Sequence, residues 1–445
     1  MTNRRSFLQR ALAFGAGALS FSGIVGAEAS DESGRPRAQA RSKASGPPIP
    51  VVTPDLPKLP CTMDGGVKVF HLVAEPVKRE LTPGRMIEVW GYNGVCPGPT
   101  IEANEGDRVR IILENRLPEP TTMHWHGLEI PIQMDGMPYI SQKPIAPGQS
   151  FPYEFTLHQN GTFFYHSHGA MQEMMGMLGM FVIHPRQAYT PHVDHDFGIL
   201  LQEWALLPNN SVPNTVNMEF NWLTINGKAA PATTPLVVRL GNRVRIRMVN
   251  LGMDHHPIHV HGNTFVVTGT EAGRQPESTW GPGNTVLIGV AQARDVEFVA
   301  TNPGDWMVHC HLPHHMMNSM MDLLSDRPVS TTPLTAKQAD EQMPMGMAEE
   351  MPMRMQPGDR SQMIASDAAR VPGFPQDGFM DMSMDEVAGN SPEFIDLPRN
   401  WSAGMQGMMT LLRVMPPDRY ERYLAAKRNG ASTPSIQQHE QGEAR

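Results

Sequence analysis

Four His-x-His pairs constrain this chain more than any other feature. They read His124-Trp-His126, His166-Ser-His168, His259-Val-His261 and His309-Cys-His311. With 18 histidines in 445 residues, random placement predicts roughly 0.7 such pairs. Residues i and i+2 of a strand point to the same face of a sheet, so each pair directs two imidazoles into one space. The spacing predicts histidine-bearing strands, and eight imidazoles in four pairs suit a cluster of transition-metal ions such as copper.

The fourth pair carries a cysteine between its histidines. Cys310 is followed by His315 and Met320, and His256 precedes the third pair. Two imidazoles, one thiolate and a distant thioether form the ligand set of a trigonal blue-copper electron-transfer site. The pattern predicts such a site one residue away from the histidine cluster. Several methionines crowd this stretch, and only the spacing from Cys310 selects Met320 as the thioether ligand.

In these motifs the chain resembles the multicopper oxidases, the family of laccases and copper-resistance oxidases, over roughly residues 66–325. The resemblance implies four coppers in each chain. A type 1 copper would bind His256, Cys310 and His315, with Met320 as its axial ligand. A type 2 copper would bind His124 and His259. A type 3 pair would bind the remaining six histidines, which are His126, His166, His168, His261, His309 and His311.

The same resemblance implies an oxidase that takes electrons one at a time from a reducing substrate and passes them to dioxygen, which leaves as water. Cu(I) is the favoured substrate, and phenols or Mn(II) are alternatives. Asp135 matches the position of a family acid near the type 2 copper, so we expect it to deliver protons. Many relatives carry a second carboxylate next to the cysteine motif, where this chain has Pro313-His314.

Two other functions share part of this pattern. Copper nitrite reductases are two-domain cupredoxin trimers that keep their blue copper in the first domain. Here Ser167 stands in that domain where Cys310 stands in the second, and Gln172 stands where His315 would be. A periplasmic copper-binding protein that uses both Met and His is the non-enzymatic alternative, and it predicts copper uptake without oxygen consumption.

Short β-branched runs between Gly, Pro and Asn turns dominate before residue 330 and predict an all-β fold. Glu105-Gly-Asp-Arg-Val-Arg110 and Leu240-Gly-Asn-Arg-Val-Arg245 are near copies, each shortly before a histidine motif, which indicates an internal repeat. Together with the resemblance, this predicts two cupredoxin-like Greek-key β-sandwich domains, at 66–186 and 190–330. A Met-rich, largely irregular C-terminal extension would follow at 331–445.

Typical laccases place a third domain between these two, but here only a short connection separates His184 from Asp196. The chain therefore resembles the two-domain class, in which the first domain of one chain faces the second domain of its neighbour in a closed ring. We expect a homotrimer with a copper cluster at each interface.

Residues 1–29 are expected to be an export signal rather than part of the fold. Asn3-Arg-Arg-Ser-Phe-Leu8 resembles a twin-arginine motif, and Ala27-Glu-Ala29 is a small-residue cleavage site. This interpretation places the protein in the periplasm, with an uncleaved membrane anchor as the alternative. Beyond the signal no apolar run is long enough to span a membrane. Residues 30–65, rich in Ser, Pro and Ala, are expected to be a flexible lead-in.

The remaining composition limits the partners. A formal net charge of −9 without a basic tract makes the chain a poor nucleic-acid binder.

Cys61 and Cys96 form either a disulfide or two isolated thiols. The chain holds 33 methionines, and phrases such as Met343-Pro-Met-Gly-Met347 alternate methionine with turn residues. Because thioethers favour Cu(I), the extension either captures Cu(I) or Ag(I) or is simply disordered.

Overall fold

The computed structural model describes residues 48–169, 171–207, 210–316, 391–398, 401–402 and 405–429. The export signal, Met320 and the Met-rich stretch before residue 391 lie outside the described residues. Within the part of the chain that is described, no helix has the length and apolar character that a membrane span requires.

The described residues form strands, with one α-helix near the end of the chain. The strands are β1 (Cys61–Asp64), β2 (Val67–Thr82), β3 (Arg85–Tyr92), β4 (Ile101–Asn104), β5 (Arg108–Asn115), β6 (His124–His126), β7 (Ser150–Thr156), β8 (Gly161–His166), β9 (Leu178–His184), β10 (His195–Trp204), β11 (Trp222–Ile225), β12 (Leu236–Arg239), β13 (Arg243–Asn250), β14 (His256–Val260), β15 (Phe265–Thr270), β16 (Gly273–Arg274), β17 (Pro282–Gly283), β18 (Thr285–Ile288), β19 (Gln292–Val299), β20 (Gly304–Cys310) and β21 (Met409–Met415). Helix α1 spans Pro417–Asn429, and short 3-10 helices span Ile132–Met134, Glu277–Thr279, Pro313–Met316 and Pro392–Phe394.

The first sandwich is built from two sheets. One sheet has the strand order β1-β2-β5-β7, with β3 paired to β2, and the other has the order β4-β9-β8-β6. Strand β5 alternates as a half-buried strand does, because Val109, Ile111 and Leu113 are buried while the residues between them are partly exposed. These side chains share one core with Phe163 and Phe181 of the facing sheet.

The second sandwich also has two sheets. Their strand orders are β11-β10-β13-β19-β15-β16, with β17 paired to β15, and β12-β21-β20-β14-β18. The core joins Ile246 of the first of these sheets to Val260, Val308 and Leu412 of the second. The predicted all-β fold with two cupredoxin-like sandwiches is confirmed.

The two sandwiches repeat one topology. In the first, β9 pairs in parallel with β4 and antiparallel with β8, and β8 pairs antiparallel with β6. In the second, β21 pairs in parallel with β12 and antiparallel with β20, and β20 pairs antiparallel with β14. The internal repeat is therefore a repeat of strand pairing, in which β6 corresponds to β14, β8 to β20 and β9 to β21.

Strands β8 and β9 are buried on both faces. Phe164 and Met180 on their outer face pack against Leu200 and Val249 of the second sandwich. Strands covered on both faces are typically continuous apolar runs rather than alternating ones, which matches the sequence of β9, fully buried from end to end. The histidine-bearing sheet of the first sandwich thus packs on one face against the core of its own sandwich and on the other against the second sandwich.

The N-terminal boundary differs from the one expected. The stretch predicted to be a flexible lead-in includes strand β1 and the buried side chains of Val51 and Leu59. The backbone N–H of Leu59 donates to the carbonyl of Thr100 at 2.8 Å, and that of Val52 donates to Asp196 at 2.9 Å. Proline-rich composition suggested irregular chain, but isolated apolar residues anchor this segment to both sandwiches.

The C-terminal boundary differs as well. Strand β21 lies beyond residue 330, within the predicted irregular extension, yet it forms the sheet position between β12 and β20. Its residues are all buried. Long-range pairing of this kind is invisible in local composition, which was dominated here by methionine and proline. Helix α1 follows β21 within the same extension.

The two remaining cysteines are separate thiols. Cys61 is exposed on β1, whereas Cys96 is buried, and neither forms a disulfide. The Cys96 Sγ lies 3.5 Å from the carbonyl oxygen of Gly176. Of the two interpretations that the sequence left open, the structure has the isolated thiols.

Candidate metal centre

Strand pairing brings the histidine motifs together two by two. His124 on β6 pairs directly with His166 at the end of β8. In the second sandwich, His259 on β14 pairs with His309 on β20. Residues directly opposite each other on antiparallel strands have Cβ atoms about 4.5–5.5 Å apart. Each pairing therefore places two His-x-His motifs side by side at the edge of one sandwich.

The first quartet consists of His124, His126, His166 and His168. The ring centroid of His124 lies 5.3 Å from that of His166 and 5.4 Å from that of His168. Ligand nitrogens of His124, His126 and His166 all lie within 4.8 Å of one another. Converging imidazoles of this kind suit a borderline transition-metal ion.

The second quartet consists of His259, His261, His309 and His311. Neighbouring ring centroids are 4.7 Å apart for His259 and His261 and 5.6 Å apart for His309 and His311. The Nε2 atoms of His261 and His309 lie only 2.9 Å apart. Among the described residues, no ring contact joins this quartet to the first, so one chain presents two separate sets of four imidazoles.

A buried triad of His256, Cys310 and His315 adjoins the second quartet. The Cys310 Sγ lies 3.4 Å from the Nδ1 of His315 and 3.8 Å from the Nδ1 of His256, and the two Nδ1 atoms are 3.1 Å apart. Three donors about 2 Å from one ion in a common plane lie about 3.5 Å from one another. The triangle thus fits one metal ion, and its donor set is that of a trigonal blue-copper site.

The protonation states also suit metal binding. Burial lowers the pKa of His126 to about 4 and lowers the pKa values of His309 and His315. These imidazoles are neutral at neutral pH and keep a nitrogen lone pair for a metal. Burial raises the pKa of the Cys310 thiol to about 12. Its thiolate therefore forms only when a bound cation compensates the charge.

Two family models described as multicopper oxidase match residues 74–188 and 206–329 of this chain. Together they span more than half of it and contain both quartets and the triad. The chain belongs to the multicopper oxidases.

Solved structures of multicopper oxidases share the fold. The blue copper oxidase from Nitrosomonas europaea is 30% identical with a TM-score of 0.52, and the match covers 59% of this chain and 82% of that one. The multicopper oxidase mgLAC is also 30% identical with a TM-score of 0.52, over 56% of this chain and 81% of that one.

Curated relatives match over shorter stretches. Copper resistance protein A of Pseudomonas syringae pv. tomato is 39% identical over 122 residues, which are 27% of this chain and 20% of that protein. Laccase-1 of Cryptococcus neoformans var. neoformans serotype D is 29% identical over 293 residues, 54% of this chain and 45% of that protein. This multicopper oxidase therefore spans less than half the length of these curated relatives.

Backbone carbonyls orient several imidazoles of this multicopper oxidase. The Nδ1 of His124 lies 2.8 Å from the carbonyl oxygen of Asp135, and that of His309 lies 2.8 Å from the carbonyl oxygen of Cys310. His259 has the same kind of contact, at 2.7 Å. A carbonyl acceptor keeps the proton on Nδ1 and leaves Nε2 for a metal.

Asp135 contacts the first quartet mainly through its main chain. Its carboxylate Oδ1 lies 3.4 Å from the Nδ1 of His124, farther than its own carbonyl oxygen, and its side chain is 27% exposed. The carboxylate of Asp135 is thus partly exposed and lies beside the quartet.

Glu173 is a site residue that the sequence did not indicate. Its Oε2 lies 3.1 Å from the Nδ1 of His166, which also contacts the carbonyl oxygen of Ser167 at 3.0 Å. Burial alone would lower the pKa of His166, but the Glu173 carboxylate outweighs it and raises that pKa. Such a carboxylate fixes the ring and makes its other nitrogen a better ligand.

Two further acids lie against the triad. Glu203 on β10 is fully buried, with its Oε2 2.8 Å from the Nε2 of His256, and its Oε1 accepts the backbone N–H groups of Met253 and Asp254. Asp254 is 44% exposed, and its Oδ2 lies 3.5 Å from the Nε2 of His315. The sequence did not reveal Glu203 because a strand of the facing sheet carries it.

The position in the first sandwich that is equivalent to the triad holds a group of hydrogen-bonded polar side chains. Three buried residues stand where the members of the triad would be, namely Thr121, Ser167 and Gln172. The hydroxyls of Thr121 and Ser167 both donate to the Oε1 of Gln172, at 2.7 and 2.5 Å, and its Nε2 donates to Glu119 at 2.7 Å. These polar groups satisfy one another, so the first sandwich lacks the blue-copper donor set at this place.

Three further residues singled out near the triad are Pro313, His314 and Met320. Pro313 and His314 lie in a 3-10 helix, and His314 is exposed. Met320 lies outside the described residues. The neighbouring His255 accepts the backbone N–H of Val290 through its Nδ1 at 3.0 Å, so it is not directed at the triad.

Proposed function

We propose that this chain couples the one-electron oxidation of a reducing substrate to the four-electron reduction of dioxygen to water. The observation that carries the proposal is the position of Cys310, whose Sγ faces the triad imidazoles while its chain neighbours His309 and His311 belong to the second quartet. Bound copper would supply one-electron redox chemistry at the triad and oxygen chemistry at the histidines. One residue of covalent chain links the two places.

Four coppers in each chain would use the triad and both quartets. The triad would hold the type 1 copper, and His124 and His259 would hold the type 2 copper. The other six quartet histidines would hold the type 3 pair, namely His126, His166, His168, His261, His309 and His311. The lowered pKa values of His126, His309 and His315 support these assignments.

Electrons from the substrate would arrive at His315 rather than at His256. The His256 ring is completely shielded from solvent, and its Nε2 lies against buried Glu203. The Nε2 of His315 instead lies near Asp254, an exposed carboxylate. A substrate that contacts this carboxylate comes within reach of the imidazole edge of the triad.

Cu(I) is the substrate we favour, with phenols or Mn(II) as alternatives. An exposed carboxylate beside His315 would attract a metal cation. The similarity to copper resistance protein A and the methionine-rich phrases of the sequence support a role in copper tolerance. The N-terminal twin-arginine-like motif supports a periplasmic location, where such an oxidase would meet extracellular copper.

Asp135 would deliver protons to the oxygen-reducing cluster. Its partly exposed carboxylate links solvent to the Nδ1 side of His124. Pro313-His314 stands directly after the His309-Cys-His311 motif and its Leu312 in place of a carboxylate, so Asp135 would carry the larger share of this task.

A homotrimer would complete the cluster. One chain holds its two quartets apart, and His168 and His311 are exposed in it. The loop after the first pair also exposes Ile132, Tyr139 and Ile140, an apolar group of the kind that protein interfaces cover. If the first quartet of one chain faces the second quartet of its neighbour, a heterologous contact closes the ring.

One set of measurements tests the proposal. Copper per chain, thiolate charge-transfer absorbance, molecular mass by light scattering, and oxygen uptake with Cu(I), a phenol or Mn(II) would be recorded on the purified protein. We expect about four coppers per chain, a blue band, a trimeric mass and donor-dependent oxygen uptake. The Cys310→Ser variant is the control, because it should lose the blue band while keeping the quartet coppers.

The competing functions give different results. Copper uptake without oxygen consumption would identify a binding protein. Nitrite turnover with about two coppers per chain would identify a reductase. A monomeric mass at full copper content would contradict the trimer alone.

A further inference from the structure

Met408 occupies in the second sandwich the place that Met177 occupies in the first. The backbone N–H of Ser167 donates to the carbonyl oxygen of Met177 at 2.9 Å. The backbone N–H of Cys310 donates to the carbonyl oxygen of Met408 at 3.0 Å. Since Ser167 and Cys310 are the central residues of corresponding His-x-His motifs, the two methionines are equivalent at this contact.

A second backbone contact gives the same equivalence. The N–H of Met177 donates to the carbonyl oxygen of Gln172 at 3.2 Å, and the N–H of Met408 donates to that of His315 at 2.9 Å. Gln172 and His315 are the third members of the hydrogen-bonded group and of the triad. Each methionine is therefore bonded to both the central and the third residue of its own sandwich.

The backbone before each methionine also repeats. Gly176 and Gly407 both have a φ of 106°, a conformation that glycine adopts without steric cost. The N–H of Leu178 donates to the carbonyl of Gly176 at 2.9 Å, and that of Met409 donates to Gly407 at 2.8 Å. The strands that follow keep one register, because Leu178 pairs with His166 just as Met409 pairs with His309.

Met408 is also buried beside the triad. Its side chain has no exposed surface, and it belongs to the same core cluster as Cys310. A thioether is a soft, weak ligand of the type that completes a trigonal site of two imidazoles and one thiolate. The two backbone hydrogen bonds join Met408 to Cys310 and His315, two of the three triad residues.

The chain between the third member and this methionine differs greatly in length. Only residues 173–176 separate Gln172 from Met177, whereas the whole stretch 316–407 separates His315 from Met408. The two ends of the longer stretch meet, because the N–H of Gln406 donates to the carbonyl of Met316 at 2.9 Å. The Met-rich stretch therefore leaves and rejoins the sandwich at one place, next to the triad.

We propose that Met408, rather than Met320, is the axial ligand of the type 1 copper, and that residues 317–405 are an insertion between the third and fourth ligands. The proposal rests on the proposed function, since it assigns a ligand of the type 1 copper. Spacing from Cys310 selected Met320, but an insertion immediately after the triad makes that spacing uninformative. The Met-rich stretch is then a loop of the copper site instead of a C-terminal tail.

Four single variants of the full-length protein test this assignment. Met408→Leu removes the thioether, Met408→Gln replaces it with a harder oxygen donor, and Met320→Leu removes the residue selected by spacing. Met177→Leu is the matched control, because it makes the same exchange at the equivalent position without a metal. The measurements are the reduction potential of the blue band by redox titration, the electron paramagnetic resonance spectrum and the copper content.

The two Met408 variants should shift the reduction potential in opposite directions. Met408→Leu should raise the reduction potential, because loss of the thioether destabilises Cu(II) more than Cu(I). Met408→Gln should lower it, because an amide oxygen favours Cu(II). A packing role alone would not produce opposite shifts. Met320→Leu and Met177→Leu should leave the potential and the spectrum unchanged.

Several results would overturn the assignment. A shift of the potential in Met320→Leu with unchanged Met408 variants would restore the residue selected by spacing. Equal potentials in all variants would exclude a methionine axial ligand at either position. Thermal denaturation of the copper-free proteins measures packing separately, and we expect similar changes for Met408→Leu and Met177→Leu because both exchanges conserve volume. Wild-type protein without a blue band would contradict the proposed function itself.

Discussion

The Oε2 of Glu203 lies 2.8 Å from the Nε2 of His256, and neither side chain has any exposed surface. A carboxylate in this position increases the electron donation of the opposite ring nitrogen to a metal. We predict that Glu203→Gln raises the reduction potential of the blue copper and weakens copper binding at the triad about 10- to 100-fold. Redox titration and copper competition measure the two effects, with Asp254→Asn as the control that alters the exposed acid. Unchanged values in Glu203→Gln would show that the charge of this acid does not act on the triad.

Glu173 should act on the first quartet in the same way. Its carboxylate lies 3.1 Å from the Nδ1 of His166, so its removal frees the ring to rotate. We predict that Glu173→Ala weakens copper binding at the quartets about 10- to 100-fold while the blue band stays intact. Glu173→Gln should recover much of the loss, because its amide oxygen still accepts from Nδ1. Equal copper content in wild type and Glu173→Ala, measured under chelator competition, would contradict this role.

Asp135→Asn tests proton delivery. The amide keeps the size of the side chain and the backbone carbonyl contact to His124, but it cannot take up or release a proton. We predict that oxygen consumption falls about 10²- to 10⁴-fold, while anaerobic reduction of the blue band by the substrate keeps its rate. Stopped-flow absorbance and an oxygen electrode measure these separately. Full oxygen uptake in the variant would exclude Asp135 as the proton route.

Glu297 should make stability depend on acid pH. Its buried carboxylate contacts Arg243, Arg245 and Arg274 at 3.0, 2.8 and 2.6 Å. Burial alone would raise the pKa of Glu297, but Arg245 and Arg274 outweigh it and hold the pKa at about 2. A pKa that is lower in the folded state gives stability that is complete above the ordinary value of 4.5 and is lost as the pH falls towards 2.

The corresponding measurement is denaturant unfolding of wild type and Glu297→Gln between pH 7 and pH 2. We predict that the variant loses on the order of 3 kcal/mol at pH 7, because three arginines lose their buried partner. Its stability should also fall less steeply in acid. Glu154→Gln, which alters a carboxylate at the solvent-facing side of a sheet, is the matched control and should have a much smaller effect. Parallel pH curves for wild type and Glu297→Gln would contradict the prediction.

The histidine motifs were accessible from the sequence because their information is local. Residues two apart on a strand share a face wherever the strand lies, so His124 and His126 could be assigned together without knowledge of the fold. The position of Cys310 between two histidines is likewise a feature of three adjacent residues. The fold class followed from the same kind of local pattern, namely short strands separated by turn residues.

The parts that the sequence did not reveal depend on pairing between distant segments. Glu203 reaches His256 from another sheet, and Glu173 reaches His166 through a turn whose conformation depends on the buried Gln172. Strand β21 joins its sheet after a long Met-rich stretch with a different composition. In each case the decisive contact lies between segments that no short window of sequence contains.

The hydrogen bond from the backbone N–H of Gln406 to the carbonyl of Met316 holds the two ends of the Met-rich stretch together. Because these two ends meet, an insertion or deletion among residues 317–390 would not have to move strand β20 or strand β21.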